Sequence, residues 1–206
     1  MNKLLVICGP TATGKTSLGI LLAKKVDGEI ISADSRQVYI GMDLGTGKDL
    51  PKNSEFKIQN SKIGYYLFDK IPVWMIDIVK PNQEFSAADF VGLASKVIND
   101  INSRNKLSII VGGTGFYIKA LIDGVDTLGI PPDWELRKQL GLKSTAELFE
   151  MLSRINSEKS ASMNSSDKQN PRRLIRAIEV ALKNQKSKIP YRVNKSQKYV
   201  YYCKNY

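Results

Sequence analysis

The sequence predicts an α/β fold, a mostly parallel sheet flanked by helices and carrying a helical insertion. Short apolar runs alternate with helical patterns up to about residue 121, as expected for parallel strands joined by helices. A glycine-rich loop, GPTATGKT, follows the first run, whereas residues 133–184 carry helical patterns only. The chain has 206 residues, 42% of them hydrophobic, which suits one domain with an insertion.

The elements of the predicted sheet follow in order. Apolar runs predict strands at residues 3–8, 29–32, 72–79 and 106–113. Helical spacing predicts helices at residues 15–25, from Ser86 to about Arg104, and at 114–121. Ser86 and Asp89 have the spacing of a capping box, which supports a helix start there. The segment FKIQNSKIGYYLF predicts a hairpin that turns at Asn60-Ser61.

The later part of the chain changes character. Ser144 and Glu147 form a second capping-box pattern, and Pro171 suits the first turn of a further helix. The segment KYVYYCKN near the end predicts a strand that returns to the sheet. We therefore expect a core at residues 1–122, a basic helical insertion at 123–195 and a returning strand at 196–206.

Charge is distributed unevenly along the chain. The net charge is +11, yet residues 1–135 hold 15 basic and 15 acidic side chains, whereas residues 136–206 hold 16 and 5. A neutral body with a basic segment indicates a polyanionic partner, and a solvated charged surface is the alternative. Two distant cysteines, and no apolar run long enough to span a membrane, favour a cytoplasmic protein. We expect a monomer.

The loop GPTATGKT is the strongest motif, because a strand precedes it and a helix follows. Its glycines, Gly9 and Gly14, allow backbone N–H groups to point at phosphate oxygens. Lys15 adds a positive charge, and the Thr16 hydroxyl is placed to ligate Mg²⁺. The predicted phosphate-binding residues are Gly9, Pro10, Thr11, Ala12, Thr13, Gly14, Lys15 and Thr16.

Two further segments lead to the same edge of the predicted sheet. Asp34 and Ser35 follow the strand after the phosphate loop, and Thr114 follows the strand SIIVGG. Carboxyl ends of neighbouring parallel strands face one crevice, so these side chains are expected near a bound phosphate. Capping a turn or a helix is the alternative role for each. The chain has no histidine, so a general base must be a carboxylate or another group.

The segment NPRRLIRAIEVALKN predicts an amphipathic helix. Leu174, Ile178, Ala181 and Leu182 form an apolar stripe at helical spacing. Arg172, Arg176 and Lys183 lie on another side. A helix that displays arginines suits a phosphate backbone, and ordinary surface arginines are the alternative.

In this order, GPTATGKT, ISADSRQVYIGMDLGTGK, FSAADF, VGGTGFYIKAL and NPRRLIRAIEV resemble the tRNA dimethylallyltransferase family. The resemblance implies a phosphate-loop NTPase-like fold and transfer of a dimethylallyl group from dimethylallyl diphosphate to N6 of an adenine beside the tRNA anticodon. It also implies Asp34 as the base, Thr11 and Lys15 at the leaving diphosphate, and Mg²⁺ at Thr16. By the same resemblance, the anticodon stem-loop would contact Asp34, Ser35, Arg36, Gln37, Thr114, Arg172, Arg173 and Arg176.

The chain departs from the family pattern in two places. Val73-Trp74 stands where family members often carry histidine, although Asp77 follows. Related chains usually continue further, with helices that complete the tRNA grip and an arginine for the diphosphate. We therefore expect a fragment or a short member, and activity of these residues alone stays open. A phosphate-loop kinase, with residues 172–176 as a lid, and a non-catalytic tRNA-binding remnant are the alternative functions.

Overall fold

The protein is described by a computed structural model that covers residues 4–48, 50, 54, 56–58, 63–125 and 127–186, with backbone only for Gln185 and Lys186. The chain divides after Val125 into two compact units. We call residues 4–125 the α/β unit and residues 127–186 the helical unit. Sequence reasoning put this boundary after residue 122, and the strand predicted for 196–206 lies outside the described residues.

Within its described residues, the α/β unit has a six-stranded sheet in the order β1-β6-β2-β5-β4-β3. The strands β1, β6, β2 and β5 are parallel, whereas β3 and β4 are antiparallel. The predicted mostly parallel sheet is therefore confirmed, and the antiparallel pair of β3 and β4 extends one edge of it. The turn predicted at Asn60-Ser61 lies outside the described residues. The strands are β1 (Leu4–Cys8), β2 (Gly28–Ser32), β3 (Phe56–Ile58), β4 (Gly64–Phe68), β5 (Ile71–Trp74) and β6 (Leu107–Gly112).

The strand register brings the ends of three strands to one edge. Cys8 at the end of β1 pairs with Gly112 of β6, and Ser32 at the end of β2 pairs with Val111. Leu4 and Val6 are buried in β1, every residue is buried in β2, and every residue except Leu107 is buried in β6. Because parallel strands end at the same edge, the loops that follow β1, β2 and β6 meet there.

The strand predicted for residues 72–79 is wrong in length. β5 ends at Trp74, because Met75 (φ 68°) and Asp77 (φ 55°) adopt the left-handed conformation, which a strand cannot include. Chain pairing resumes only at Val79, which forms an isolated parallel bridge with Tyr39. The break turns Asp77 toward residues 39–48, the glycine loop, which follows β2 in the chain.

The described part of the α/β unit contains three helices: α1 (Lys15–Val26), α2 (Ala87–Ser103) and α3 (Gly115–Ile122). The Ser86–Asp89 capping box is present at the start of α2, as predicted. Phe90 of α2 stacks on Tyr117 of α3, with ring centroids 4.4 Å apart. Under α1, a core of Ala23, Ile30 and Val111 holds the helix against the sheet.

The helical unit has its own core. Leu148, Leu152, Leu174 and Ile178 are fully buried and pack together. The predicted Ser144–Glu147 capping box is present, and the last helix begins at Pro171, as predicted. Its helices are α4 (Trp134–Leu140), α5 (Thr145–Ile155), α6 (Ser157–Ser162), α7 (Ser165–Lys168) and α8 (Pro171–Lys186).

Candidate active site

The phosphate loop joins β1 to α1 and is largely exposed. Gly14, the residue before α1, has φ 76°, in the region that favours glycine. Ala12 also adopts a positive φ of 65°. These conformations wrap the loop so that the N-terminus of α1, with its unpaired N–H groups, is open to a ligand. The loop is therefore shaped as an anion site.

Lys15 lies over this loop. Its ammonium donates to the carbonyl oxygen of Pro10 and, at 3.4 Å, to Thr13 Oγ1. Thr13 Oγ1 donates in turn to the Pro10 carbonyl at 2.9 Å. The lysine charge is thus held within the loop itself, where an anion can replace the neutral carbonyl as its partner. Thr16 follows at the start of α1 with an exposed side chain.

Asp34 stands at the end of β2 and performs the turn-capping role considered from the sequence. Its Oδ1 accepts from the backbone N–H of Arg36 at 2.9 Å, which forms an Asx turn. Oδ2 has no hydrogen-bond partner among the described residues. Asp34 is half-buried, whereas Arg36 is exposed. One carboxylate oxygen therefore shapes the turn, and the other remains available to accept a proton.

Thr114 connects the end of β6 to the end of β2. Its Oγ1 accepts from the backbone N–H of Ser35 at 2.9 Å and donates to Ser35 Oγ at 3.3 Å. It precedes α3 but makes no capping hydrogen bond, so the alternative role as a helix cap is not observed. Gly112 makes this approach possible, because a Cβ there would lie 2.2 Å from the carbonyl oxygen of Ala33.

Gln37 is engaged within the protein. Its Oε1 accepts from Ser32 Oγ at 2.8 Å, and its Nε2 donates to the Gly47 carbonyl at 2.8 Å. Both ends of the Gln37 amide therefore join β2 to the glycine loop. Gln37 also lines the cavity, so it is part of the wall of the site, and its contact with RNA stays a prediction.

One cavity brings together the phosphate loop, Asp34 and Gln37, whereas Ser35, Arg36 and Thr114 are not among the described residues that line it. It has a volume of about 320 Å³, within the range of small-molecule sites. The phosphate loop, Asp34, Gln37 and Lys48 line its polar part. The apolar part consists of Ile30, Phe68, Val73, Ile76 and Val111. The phosphate loop forms one side of the cavity and apolar side chains form another. Such a cavity fits a phosphate ester of a small apolar group.

Sequence reasoning did not single out Lys48. Its side chain is fully buried and its ammonium binds Asp77 and Asp43, while the Tyr66 hydroxyl donates to Asp77 at 2.8 Å. Burial and this hydrogen bond raise the pKa of Tyr66 above its usual value. The sequence feature that could have indicated Lys48 is the second glycine-rich string, GTGK, in the glycine loop.

Val73 and Trp74, which stand where family members often carry histidine, lie in two different environments. Val73 lines the cavity, whereas the indole Nε1 of Trp74 donates to the buried Glu29 at 2.9 Å. Arg104 also binds Glu29, in an ion pair that raises the pKa of Arg104. Trp74 thus satisfies a buried carboxylate of the sheet, and Val73 alone belongs to the site.

The arginines of α8 differ in their availability. Arg172 is exposed, and Arg173 pairs with Asp167. Arg176 binds the buried Glu179 and donates to the carbonyl oxygens of Thr127 at 2.7 Å and Ile130 at 2.9 Å. Arg176 therefore holds the helical unit together, a role that sequence reasoning missed.

Glu179 is the centre of this network. It accepts from the backbone N–H of Asp133 at 2.6 Å and from Arg137 Nε at 3.0 Å, besides Arg176. Burial acts to raise the pKa of Glu179, but the hydrogen bonds from Arg137, Asp133 and Arg176 outweigh it, so the pKa is lowered. Three of the arginines predicted to contact RNA, Arg172, Arg173 and Arg176, line a separate cavity of about 690 Å³ in the helical unit.

The described residues were compared with what a metal site and a membrane-spanning helix require. They hold no group of three or more His, Cys, Asp or Glu side chains that could bind a metal ion. In the same part of the chain, no helix is both long and apolar enough to cross a membrane.

Sequence comparison gives one family. A family model described as IPP transferase matches residues 37–204, and one described as isopentenyl transferase matches residues 2–70. The chain is 42% identical over 179 residues to tRNA dimethylallyltransferase 1 of Geotalea daltonii, covering 87% of this chain and 52% of that protein. It is 43% identical over 183 residues to tRNA dimethylallyltransferase of Geobacillus thermodenitrificans, covering 87% and 53%.

Solved structures agree with this family. The full-length tRNA isopentenylpyrophosphate transferase of Bacillus halodurans matches with a TM-score of 0.52 and 38% identity, over 87% of this chain and 55% of that chain. A eukaryotic dimethylallyltransferase acting on tRNA matches with a TM-score of 0.69 at 23% identity, over 98% and 48%, which shows the fold alone. The chain spans about half the length of the curated relatives it matches. It belongs to the IPP transferase family, which includes the tRNA dimethylallyltransferases it matches.

Proposed function

We propose that the protein transfers a dimethylallyl group from dimethylallyl diphosphate to N6 of the adenine 3′-adjacent to the tRNA anticodon, with release of diphosphate. One observation carries the proposal: the phosphate loop and Asp34 line the same cavity, which also has an apolar wall. An anion loop alone would suit many phosphate esters. An apolar wall and a carboxylate beside it suit a prenyl diphosphate that reacts with a protonated nucleophile.

The donor would bind across the two parts of the cavity. Its diphosphate would accept hydrogen bonds from the loop N–H groups at the N-terminus of α1 and from Lys15. Its five-carbon group would lie against apolar side chains such as Val73 and Val111, which line the cavity. Thr11, an exposed residue of the loop, would donate to the oxygen beside the breaking bond.

The transfer exchanges one bond for another. The bond between C1 of the dimethylallyl group and the diphosphate oxygen breaks, and its electron pair leaves with the diphosphate. The adenine N6 lone pair forms the new bond to C1. N6 then loses a proton to Asp34, whose Oδ2 is available to accept it. Lys15 and the loop N–H groups would stabilise the charge that develops on the leaving diphosphate.

The residues present fit a Mg²⁺ ion that arrives with the diphosphate. Mg²⁺ keeps several waters and binds substrate phosphates rather than a cage of protein ligands. Thr16 presents an exposed hydroxyl at the loop, and the described residues contain no competing carboxylate cluster. Thr16 would hold the ion, which would supply further neutralisation of the diphosphate charge.

The acceptor base must leave its stack to enter such a cavity. Ser35, Arg36 and Thr114 lie at the end of β2 and β6, beside Asp34, and are the proposed contacts to the flipped nucleotide and its backbone. The exposed Arg172 and the partly exposed Arg173 are the proposed contacts of the helical unit to tRNA phosphates.

The test is to incubate the chain with tRNA, dimethylallyl diphosphate and Mg²⁺, digest the tRNA and measure the masses of its nucleosides by mass spectrometry. We expect a modified adenosine that carries one dimethylallyl group, and diphosphate release in equal amount. Protection of the loop from proteolysis by dimethylallyl diphosphate, compared with ATP, separates this function from that of a kinase. Binding of tRNA without any modified nucleoside would contradict the proposal and favour a binding protein.

A further inference from the structure

The glycine loop, residues 39–48, crosses from the end of β2 over one side of the cavity. Gly41, Gly45 and Gly47 have positive φ values of 73°, 72° and 67°. Such a loop has many conformations open to it, so the folded form needs specific contacts to hold it. Its last residues, Thr46, Gly47 and Lys48, line the cavity.

Lys48 fills the inside of this loop. Its ammonium donates to the Tyr39 carbonyl at 2.7 Å and to Asp43 at 3.0 Å, which are both loop residues. It also binds Asp77, which lies just beyond β5. The lysine side chain is 0% exposed, so the charge could not be buried there without these partners. One ammonium thus closes the loop and ties it to the sheet.

Asp77 is itself held from two other directions. Its Oδ2 accepts from the Tyr66 hydroxyl at 2.8 Å, and its backbone N–H donates to the Gln37 carbonyl at 3.1 Å. Its carboxylate is only 9% exposed. Gln37 forms a second attachment of the same loop through Gly47. The anchor for Lys48 is therefore rigid, and the two attachments reach adjacent residues of the cavity wall.

We propose that Lys48 is a positioning residue, which by binding Asp77, Asp43 and the Tyr39 carbonyl fixes the cavity wall formed by Thr46 and Gly47. In terms of the reaction, which rests on the proposed function, the fixed wall orients the donor beside Asp34 without Lys48 itself touching the reacting atoms. The fixed position of the glycine loop does not depend on substrates and can therefore be measured in the protein alone.

The test uses the full chain and three variants. Lys48→Met removes the ammonium and keeps the length of the side chain, but leaves Asp77 buried without a cation. Lys48→Met with Asp77→Asn removes both charges, so its stability should recover toward that of the unmodified protein. Lys96→Met, an exposed lysine of α2, is the matched control.

Hydrogen exchange measured by mass spectrometry should show segment 39–47 exchanging roughly tenfold faster in both Lys48 variants. Exchange of β6 in the double variant, and of both segments in Lys96→Met, should not change. Equal exchange of segment 39–47 in the double variant and the unmodified chain would overturn the proposal, because the loop would then be held without Lys48.

The kinetic readout separates positioning from stability. In the double variant, the transfer rate at saturating substrates should fall on the order of 10²-fold, the effect of a misplaced reactant. Its affinity for inorganic diphosphate should stay unchanged, because the phosphate loop is intact. Normal transfer by a double variant with fast loop exchange would also overturn the positioning role. If the unmodified chain transfers nothing, the proposed function fails, and the exchange comparison alone decides on the fixed loop.

Discussion

The α/β unit and the helical unit use their charged residues differently. Among the described residues, one carboxylate oxygen of Asp34 at the cavity of the α/β unit has no partner, and Lys15 is held only by neutral loop oxygens. In the helical unit, Arg137 and Arg176 both bind the buried Glu179. The α/β unit therefore presents reactive charges, whereas the helical unit uses part of its charge internally.

This difference shows that the net charge of a segment does not give the number of basic side chains that are available to bind a partner. The excess of basic residues after residue 135 led to the prediction of a polyanion site. Arg176, one of the arginines chosen for that site, is committed to Glu179 and to two carbonyl oxygens. Arg172 and Arg173 lie on the same helix with exposed side chains. Contacts, and not residue type, distinguish a binding arginine from a structural one.

The largest effect is expected at Asp34. Asp34→Asn keeps the oxygen that accepts from Arg36, so the turn and the fold should survive. The transfer rate should fall by roughly two to four orders of magnitude, since the proton acceptor is lost. Rapid-quench measurement of modified tRNA, with tRNA and diphosphate binding as controls, checks this expectation. Near-normal transfer by a folded Asp34→Asn protein would show that the Asp34 carboxylate is not the catalytic base.

A second large effect is expected in the helical unit. Glu179→Gln replaces a buried carboxylate that binds two arginines, which are still about a third exposed. The free energy of unfolding should fall by roughly 2–4 kcal/mol, measured by urea denaturation followed by circular dichroism. Glu150→Gln, which breaks the exposed pair with Arg154, is the control and should change it by less than about 0.5 kcal/mol. Equal changes would deny the network its structural role.

The same carboxylate makes the stability of the helical unit depend on pH. Because the folded pKa of Glu179 is lowered, its contribution is present above the unfolded pKa of about 4.3. It is lost as the pH falls through the lowered folded pKa. Acid titrations of the unmodified protein and of Glu179→Gln should therefore converge toward low pH. Parallel stability curves at all pH values would contradict the assignment.

A moderate effect is expected at the exposed arginines, Arg172 and Arg173. Arg172→Ala with Arg173→Ala should reduce the slope of log affinity for tRNA against log salt by about 2, one for each lost phosphate contact. Melting of this variant should be nearly normal. Arg176→Ala should instead lower the melting temperature, because it leaves Glu179 short of one partner. Filter binding across a salt series and thermal melting distinguish the two kinds of arginine.

The smallest effect is expected at Thr114. Thr114→Val removes the oxygen that accepts from the Ser35 N–H, which should cost about 1 kcal/mol. A chain of this length should then melt roughly 2–4 °C lower. Thr114→Ser keeps the hydroxyl and should melt close to the unmodified protein. A Thr114→Ser variant as unstable as Thr114→Val would mean that the methyl group, not the hydroxyl, matters.

Local patterns made much of the fold predictable. Both capping boxes, the start of α8 at Pro171 and the strand–loop–helix around the phosphate loop depend on residues close in the chain. The apolar stripe of α8 was also correct, since Leu174 and Ile178 are fully buried. Such signals need no knowledge of which strands are neighbours.

The contacts that were missed join distant segments, although Ser35 and Thr114 were predicted at the same edge of the sheet. Lys48 binds Asp77 across 29 residues, Arg176 binds the Thr127 carbonyl across 49, and Thr114 binds Ser35 across 79. Each pairing depends on the topology of its unit, which periodicity does not encode. The strand predicted for 72–79 failed for a related reason, because the left-handed backbone at Asp77 serves its contact with the glycine loop and not a local preference.

The central claim is that the α/β unit binds the diphosphate and the helical unit contributes the affinity for tRNA. The most direct test measures both affinities, for inorganic diphosphate with Mg²⁺ and for tRNA, in Lys15→Ala and in Arg172→Ala with Arg173→Ala. We predict a crossed result, in which Lys15→Ala loses diphosphate binding and keeps tRNA binding, and the arginine variant does the reverse. Loss of both affinities in each variant, with both proteins folded, would contradict the division of roles between the two units.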